Sequence, residues 1–513
     1  SGVLLFEATL GLDQSDPDCA QVTTPSAGCK LGDQLTYGVD YVLSLADSNT
    51  ITFVPLKPLK AAQGYMLVMT TDLKDSSGKS VQGSTTWDTV RQDINTNPLS
   101  SAAQLQLQGL VNSLVNPVLG AGFDREDITY VSAFTTQSVA NSLDTIKKVM
   151  ISRFAQLAAA GSPAAPTALP AITVGDAAAA PNAMEALGLV NSTVVAGAVE
   201  QGKQGLPAQV QAAIDGTDFS VLETCGGLVG TVSGQLAAQW GGLNDFAVAI
   251  STGILAQAGP FCAAQRYEGN IALPYFLGVP SAENPLAPVN DFWKAACDSG
   301  IVLAGAPQEL LADAEPGPNA QMCSALGLAD VRINGEMLDN ARNITKFNPY
   351  PQPTGGNMGT ETLDVQVTIP DPAIAGALGF PISMPEAGWP VVILAHGITS
   401  KKEDMLAITG TLSLAGVASI AIDQPLHGSR GFDLNGDGTD EINATTVSAT
   451  HYMNLASLPT ARDNLRQSVS DLLGLRLGLN AVIDNTTTQN VKFDMGRVSI
   501  MGVSLGAITG GNF

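Results

Sequence analysis

Short runs that alternate apolar and polar residues open the chain. Val3–Thr9, Tyr41–Leu45, Thr50–Pro55 and Gly64–Thr71 read as strands, with turn residues between them. The pattern to about residue 95 predicts a small β-sandwich module. The period then changes. Leu105–Val118 and Val139–Ala160 carry apolar residues at helical spacing. Residues 161–181 are rich in Ala, Pro and Gly and read as a linker or exposed loop. Residues 182–260 return to helical runs, and Tyr267–Phe276 reads as a strand. The region 96–340 is thus expected to be mostly helical, and its Ala, Leu and Val content suits a lid or an acyl-chain surface.

From about 341 a third pattern begins. Leu363–Ile369 alternates like a strand. Pro390–Ala395, Val417–Ile422 and Val498–Met501 are continuous apolar runs, the signature of strands buried on both faces. Glu403–Leu414 and Pro459–Leu479 read as helices between them. Alternating strands and helices predict an α/β domain with a mostly parallel sheet over residues 341–513.

Composition narrows the function classes. Hydrophobic residues make up 45% of the 513 and charged residues 14%, so large cores are available and disorder is excluded. The net charge of −23 argues against nucleic acid as a partner. The six cysteines form no CxxC pair, which argues against zinc, and their even number suits three disulfides in an oxidising compartment. Cys19 with Cys29 is the first expected pair. No stretch is apolar enough for a transmembrane helix. The sequence opens on a strand-like run without an initiator Met, so a segment before Ser1, including an anchor for the membrane surface, is expected to be missing.

The third buried strand runs into Gly502-Val503-Ser504-Leu505-Gly506. A serine hydroxyl attacks an acyl carbon when it is held exposed beside a base. A sharp strand-to-helix turn presents it, and glycines on both flanks relieve the crowding. Ser504 is therefore the candidate nucleophile, with Gly502 and Gly506 in support. The earlier strand ends in His396-Gly397-Ile398. The amides of Ile398 and Leu505 are the candidate pair of oxyanion donors, and His396 and Gly397 support that loop. His396 is expected to brace its own loop rather than act as base.

The segments WPVVILAHGITSKKEDMLAITGTLSLAGVASIAIDQPLHG, RDNLRQSVSDLLGLRLGL and VSIMGVSLGA resemble bacterial extracellular lipases of the virulence-factor type. That family includes surface-anchored lysophospholipases. The strand order between the two motifs is similar to the α/β-hydrolase sheet. VPLKPLKAAQGYMLVMTTDLKDSSGKSV resembles the bacterial Ig-like modules that precede surface enzymes. The resemblance implies an exported carboxylic-ester hydrolase, a lipase or (lyso)phospholipase, acting on lipid or other esters at the bacterial surface or outside the cell. Other classes share these motifs: a thioesterase, a peptidase, a polyester hydrolase, or a non-catalytic adhesion protein on a hydrolase scaffold.

In the resembled fold the acid and the catalytic histidine follow the serine. His396, His427 and His451 all precede Ser504, so the two partners are expected beyond Phe513 and residues 1–513 alone are expected to be inactive. No organic cofactor is expected. Asp433, Asn435, Asp437, Thr439 and Glu441 alternate like the start of a calcium loop, but Ala444 stands where an EF-hand has its closing Glu. A structural calcium and a plain Asp/Gly turn are equally compatible with that run. Arg462 and Arg466 lie one helical turn apart; a salt-bridged helix face is the favoured reading, and a grip on substrate phosphate is the alternative.

Overall fold

A computed structural model describes the chain except residues 1, 12–15, 20, 21, 23, 25, 26, 48, 139, 160–168 and 356–358. The chain forms two compact units, residues 1–141 and 142–513.

The first unit is built on one antiparallel sheet. Its strands are β1 (Val3–Leu10), β2 (Gly28–Gln34), β5 (Gly64–Thr70) and β6 (Ile128–Thr135), in the order β2-β1-β5-β6. Strands β3 (Tyr41–Leu45) and β4 (Ile51–Pro55) make a separate hairpin. Because successive side chains face opposite ways, β1 serves two cores. Phe6 and Ala8 pack with Met66 and Val68 under the helices Thr85–Val90 and Ala102–Gly120, which contribute Trp87, Val111, Val115 and Val118. Leu5 and Tyr65 face the hairpin's Tyr41. Full burial of each such valine is worth about 1.5–3 kcal/mol. The buried aromatic tips are satisfied: Trp87 Nε1 donates to the Ile128 carbonyl at 3.1 Å and the Tyr41 hydroxyl to that of Val3 at 2.9 Å. Ser101 and Gln104 form a capping box at the start of the longer helix.

These facts correct the expected Ig-like sandwich. One sheet is covered by helices on one face, because the apolar stripe of 102–120 must be buried and the sheet offers the matching surface. The unit also runs beyond residue 95, since β6 pairs with β5.

The second unit holds a seven-stranded mixed sheet. Its strands are β7 (Ile172–Asp176), β8 (Ala264–Pro274), β12 (Thr360–Pro370), β13 (Trp389–Ala395), β14 (Ala418–Ile422), β15 (Val482–Asp484) and β16 (Phe493–Gly502), in the order β15-β7-β8-β12-β14-β13-β16. Strands β9 (Glu315–Pro316), β10 (Val331–Ile333) and β11 (Glu336–Met337) form a small sheet apart. β13 pairs in parallel with both β14 and β16, and β15 with β7. β7, β8 and β12 pair antiparallel in turn, and β12 pairs antiparallel with β14. The sheet is therefore mixed rather than mostly parallel.

Val391 and Ile393 of β13 and Ile420 and Ile422 of β14 lie in one core with Leu472, Leu475 and Leu479. The helix Leu458–Gly478 begins with Pro near its first turn, as the fixed φ of proline favours. Val392 and Leu394 point to the opposite face, against Met405. The predicted helix 403–414 is a 3-10 turn over Lys402–Ile408 followed by an α-helix over Thr409–Leu414.

The Ala- and Pro-rich stretch expected as a linker contributes β7. Its Ile172 and Val174 are wholly buried, so the β-branched residues of ITVGD outweigh their flanks; the start of the stretch lies outside the described residues. Helices between Ala183 and Cys262 enclose a separate core around Met184, Leu222, Trp240 and Ile254. Three disulfides, Cys19–Cys29, Cys225–Cys262 and Cys297–Cys323, use all six cysteines, the first being the expected pair. Such a set belongs to an oxidising compartment. Among the described residues no helix is long and apolar enough to cross a membrane.

Candidate active site

β16 ends at Gly502, and the chain turns through Val503 and Ser504 into the helix Leu505–Gly511. Ser504 sits at φ 52°, ψ −112° with its residue exposed. A side-chain-bearing residue there stores about 1–3 kcal/mol of strain, which the surrounding packing must hold. The two glycines make the turn feasible. A Cβ on Gly502 would lie 2.1 Å from the Gly506 carbonyl oxygen, and one on Gly506 would lie 2.0 Å from that of Ala395. Only hydrogen fits at either place. The Val503 amide donates to Ala395 O at 3.0 Å, which ties the turn to the end of β13.

The loop after β13 therefore lies against the serine. A Cβ on Gly397 would be 3.4 Å from Ser504 Cβ. Among the described residues neither the Ile398 nor the Leu505 amide donates a hydrogen bond, and Ser504 Oγ has no partner. Leu505 opens its helix, where first-turn amides lack acceptors.

His396 is buried and both ring nitrogens are engaged. Nδ1 is 2.8 Å from Gly397 O, and Nε2 accepts from the Gln424 amide at 2.9 Å. These bonds assign the ring proton to Nδ1. Gln424 Nε2 in turn donates to His396 O at 2.6 Å. Burial holds the imidazole below its ordinary pKa, so it is neutral. Its donor grips the carbonyl of the very peptide that carries the Ile398 N–H. That bond fixes the peptide plane and polarises the amide.

His427 lies beneath. Its ring centroid is 5.1 Å from those of both His396 and Tyr452. Nδ1 contacts Pro425 O at 2.9 Å, while Nε2 is buried without a partner among the described residues. Burial pushes this imidazole down to about 4. Tyr452, bonded to Ser468 Oγ at 2.8 Å, packs with Leu505 and Ile398. The residues bearing both candidate amides thus rest on an aromatic column. His451 is half-buried and accepts from the Asn443 amide through Nδ1 at 3.1 Å.

Two buried ion-pair groups fix the loop after β14. Asp423 meets Lys402 Nζ at 2.9 Å and accepts from the Lys402 and Ser429 amides at 2.7 and 3.0 Å. Burial alone would raise the Asp423 carboxyl, but the Lys402 charge and the Ser429 and Lys402 hydrogen bonds together hold it below its ordinary value. Arg430 binds Glu361 at 2.6 Å and Asp471 at 2.8 Å. The sequence marked His427 only as a histidine that precedes Ser504. It gave no sign of Gln424, Tyr452 or these pairs, whose partners lie far along the chain.

The five residues of the expected cation loop are only partly brought together. Carboxylate oxygens of Asp433, Asp437 and Glu441 lie within 4.8 Å of one another, all exposed. Asn435 is turned to other work: its Oδ1 accepts from the Asp437 amide at 2.8 Å and its amide donates to Glu441. The Thr439 amide donates to Asp437 at 2.8 Å. Gly438 and Gly436 amides bond Asp433 and hold its carboxyl low. The donors that converge are hard oxygens, the class that suits calcium. Arg462 and Arg466 both bind Asp463, at 2.8 and 3.1 Å. The helical middle region encloses a cavity of about 530 Å³ lined by Leu189, Val194, Ile250 and Ile254, with Gln201 and Gln257 as polar members.

Comparison with known proteins adds one family. Residues 1–165 match the family described as bacterial virulence factor lipase N-terminal, which bears out the virulence-factor lipase resemblance and does not extend to residues 389–507, where the hydrolase-like motifs lie. No curated protein matches the chain. A solved structure from Klebsiella pneumoniae, described as a dienelactone hydrolase, is similar at 18% identity with a TM-score of 0.18. That likeness covers 29% of this chain and 46% of that one.

Proposed function

We propose that the chain carries the nucleophile and oxyanion half of an exported serine carboxylic-ester hydrolase, a lipase or lysophospholipase with an α/β-hydrolase core. One observation carries the reading. Ser504 is held at positive φ between two glycines that tolerate no Cβ, with the His396–Ile398 loop directly against it. The order β8-β12-β14-β13-β16, with the serine at the end of β16, supports it. So do the virulence-factor lipase family match and the three disulfides, which suit export.

In this reading Ser504 Oγ bonds to the ester carbonyl carbon as a base takes its proton. The carbonyl oxygen becomes an anion, which the Ile398 and Leu505 amides receive. One such donor is worth roughly 3–4 kcal/mol of barrier in a known case. Collapse breaks the bond to the alcohol, which leaves with the proton, and water then releases the acid from Ser504. His396 has both ring nitrogens engaged, His451 accepts at Nδ1 so that its proton sits on Nε2, and His427 is sealed in the core. We propose that a histidine and an acid other than these serve Ser504.

The test uses the full-length protein, with p-nitrophenyl butyrate and palmitate as substrates. Ser504→Ala is expected to lower kcat by on the order of 10⁴-fold or more, and faster turnover of palmitate would specify a lipase. Turnover that survives in Ser504→Ala, or none in the folded wild type, would sink the proposal.

A further inference from the structure

We infer that the segment 444–461, together with the 286–292 turn, forms the surface by which this protein lies on aggregated neutral or zwitterionic lipid. The inference rests on the hydrolase reading for its purpose and on separate observations for its location.

Residues 444–461, ATTVSATHYMNLASLPTA, contain no Asp, Glu, Lys or Arg, in a chain with a net charge of −23. The segment nevertheless displays large apolar side chains. Leu455 is 77% exposed and Leu458 66%, and Val447 and Met453 are exposed as well. Two hydrogen bonds dock the segment onto the neighbouring turn: Asn454 Nδ2 to Val289 O at 2.6 Å and Thr460 Oγ1 to Asn290 O at 3.3 Å. That turn adds exposed Leu286 and Phe292. The two segments that carry these exposed apolar residues are thus joined, whereas isolated surface leucines elsewhere need no explanation.

The same segment reaches the catalytic turn. Tyr452 is wholly buried against Leu505 and Ile398. A surface that settles on lipid through Leu455 and Leu458 is therefore fastened, within a few residues, to the two amides proposed to hold the anion. Charge selects the occupant. A body of −23 is repelled by an anionic leaflet. Residues 444–461, which carry no Asp, Glu, Lys or Arg, gain from apolar burial at an uncharged interface, while exposed Asp291 in the 286–292 turn adds to the repulsion from an anionic one.

The experiment measures sedimentation with phosphatidylcholine vesicles, using the full chain in a Ser504→Ala background so that no lipid is consumed. The wild-type surface is expected to partition onto the vesicles, and Leu455→Asp with Leu458→Asp to lower the partition coefficient about tenfold or more. Ile301→Asp, at an exposed apolar position outside these segments, is the control and is expected to leave it within about twofold. Leu455→Ser alone, with a smaller loss, stands in if the double variant fails to fold. No partition by the parent, equal partition by parent and double variant, or an equal loss in Ile301→Asp would each overturn the inference. Self-association that the double variant abolishes, without vesicle binding, would overturn it too and assign the patch to a second copy of the chain. Because the readout is binding, failure of ester hydrolysis elsewhere would reject the enzyme reading and leave this result standing on its own.

Discussion

Two glycine-rich loops of the second unit invite comparison: the turn Gly502–Gly506 and the loop Asp433–Glu441. Both are short motifs with polar side chains at fixed spacing. The first is shaped from outside. Gly506 presses on the backbone of β13, the neighbouring loop is locked by His396 and Gln424, and Leu505 rests on Tyr452. The second is shaped from within, as Asp433, Asn435 and Asp437 bond the amides of their own loop in the open. A strained residue persists where its surroundings over-determine it, whereas an exposed turn that satisfies itself leaves nothing to hold a reactive group in place.

Substitution should separate the two. The largest effect is expected for Gly506→Ala, whose methyl would collide with the Ala395 carbonyl. Overpacking of that kind costs typically 1–3 kcal/mol and here more, because the obstacle is backbone. Urea titration should show it, and the displaced elbow should lose ester hydrolysis with it. Arg430→Met comes next. It strands Asp471 and part of Glu361 beneath the loop, and loss of one partner of a buried pair costs about 3–5 kcal/mol. A wild-type urea midpoint in either variant would show the support to be dispensable.

A smaller effect is tied to pH. His427 has a folded pKa of about 4, below its unfolded value, so it stabilises the fold in its neutral form. That contribution is whole above the unfolded pKa of about 6.5. It is lost progressively as pH falls toward 4, with a limit of roughly 3 kcal/mol. His427→Gln should therefore flatten the decline in stability between pH 7 and 4.5, and an unchanged slope would remove His427 from the supporting column. The smallest effect is expected for Asp433→Ala, a melting shift of about two degrees at most. If chelator-treated protein melted well below calcium-loaded protein, and Asp433→Ala abolished that gap, the second loop would be a cation site and the contrast drawn here would need revision.

The elements that sequence patterns revealed are those whose cause is local. Val498–Met501 announces a buried strand, and GVSLG after it announces the turn, because the steric need for glycine lies within the motif. The same holds for the strand ending at His396. The column beneath was illegible because it depends on meetings between distant residues: His396 with Gln424, Tyr452 with Leu505, Arg430 with Glu361. β7 was hidden for a related reason, since three β-branched residues among alanines and prolines become a strand only beside distant partners, β8 and β15. The sandwich expectation failed at the helix 102–120. Its apolar stripe was visible, but not which surface it would cover.

The position of β15 has a consequence for how the protein comes into being. β7, near residue 172, waits for a partner near residue 482, while every pairing of the first sheet lies within residues 1–141. A chain that emerges from its N-terminus, at the ribosome or across a membrane, can complete the first unit while most of the second is still unmade. The edge of the larger sheet has to stay open almost until the nucleophile strand arrives. Pairings so distant in sequence form slowly. The Gly502–Gly506 turn follows β15 in the chain, so the proposed nucleophile is not set in place before the residues of that edge have been made.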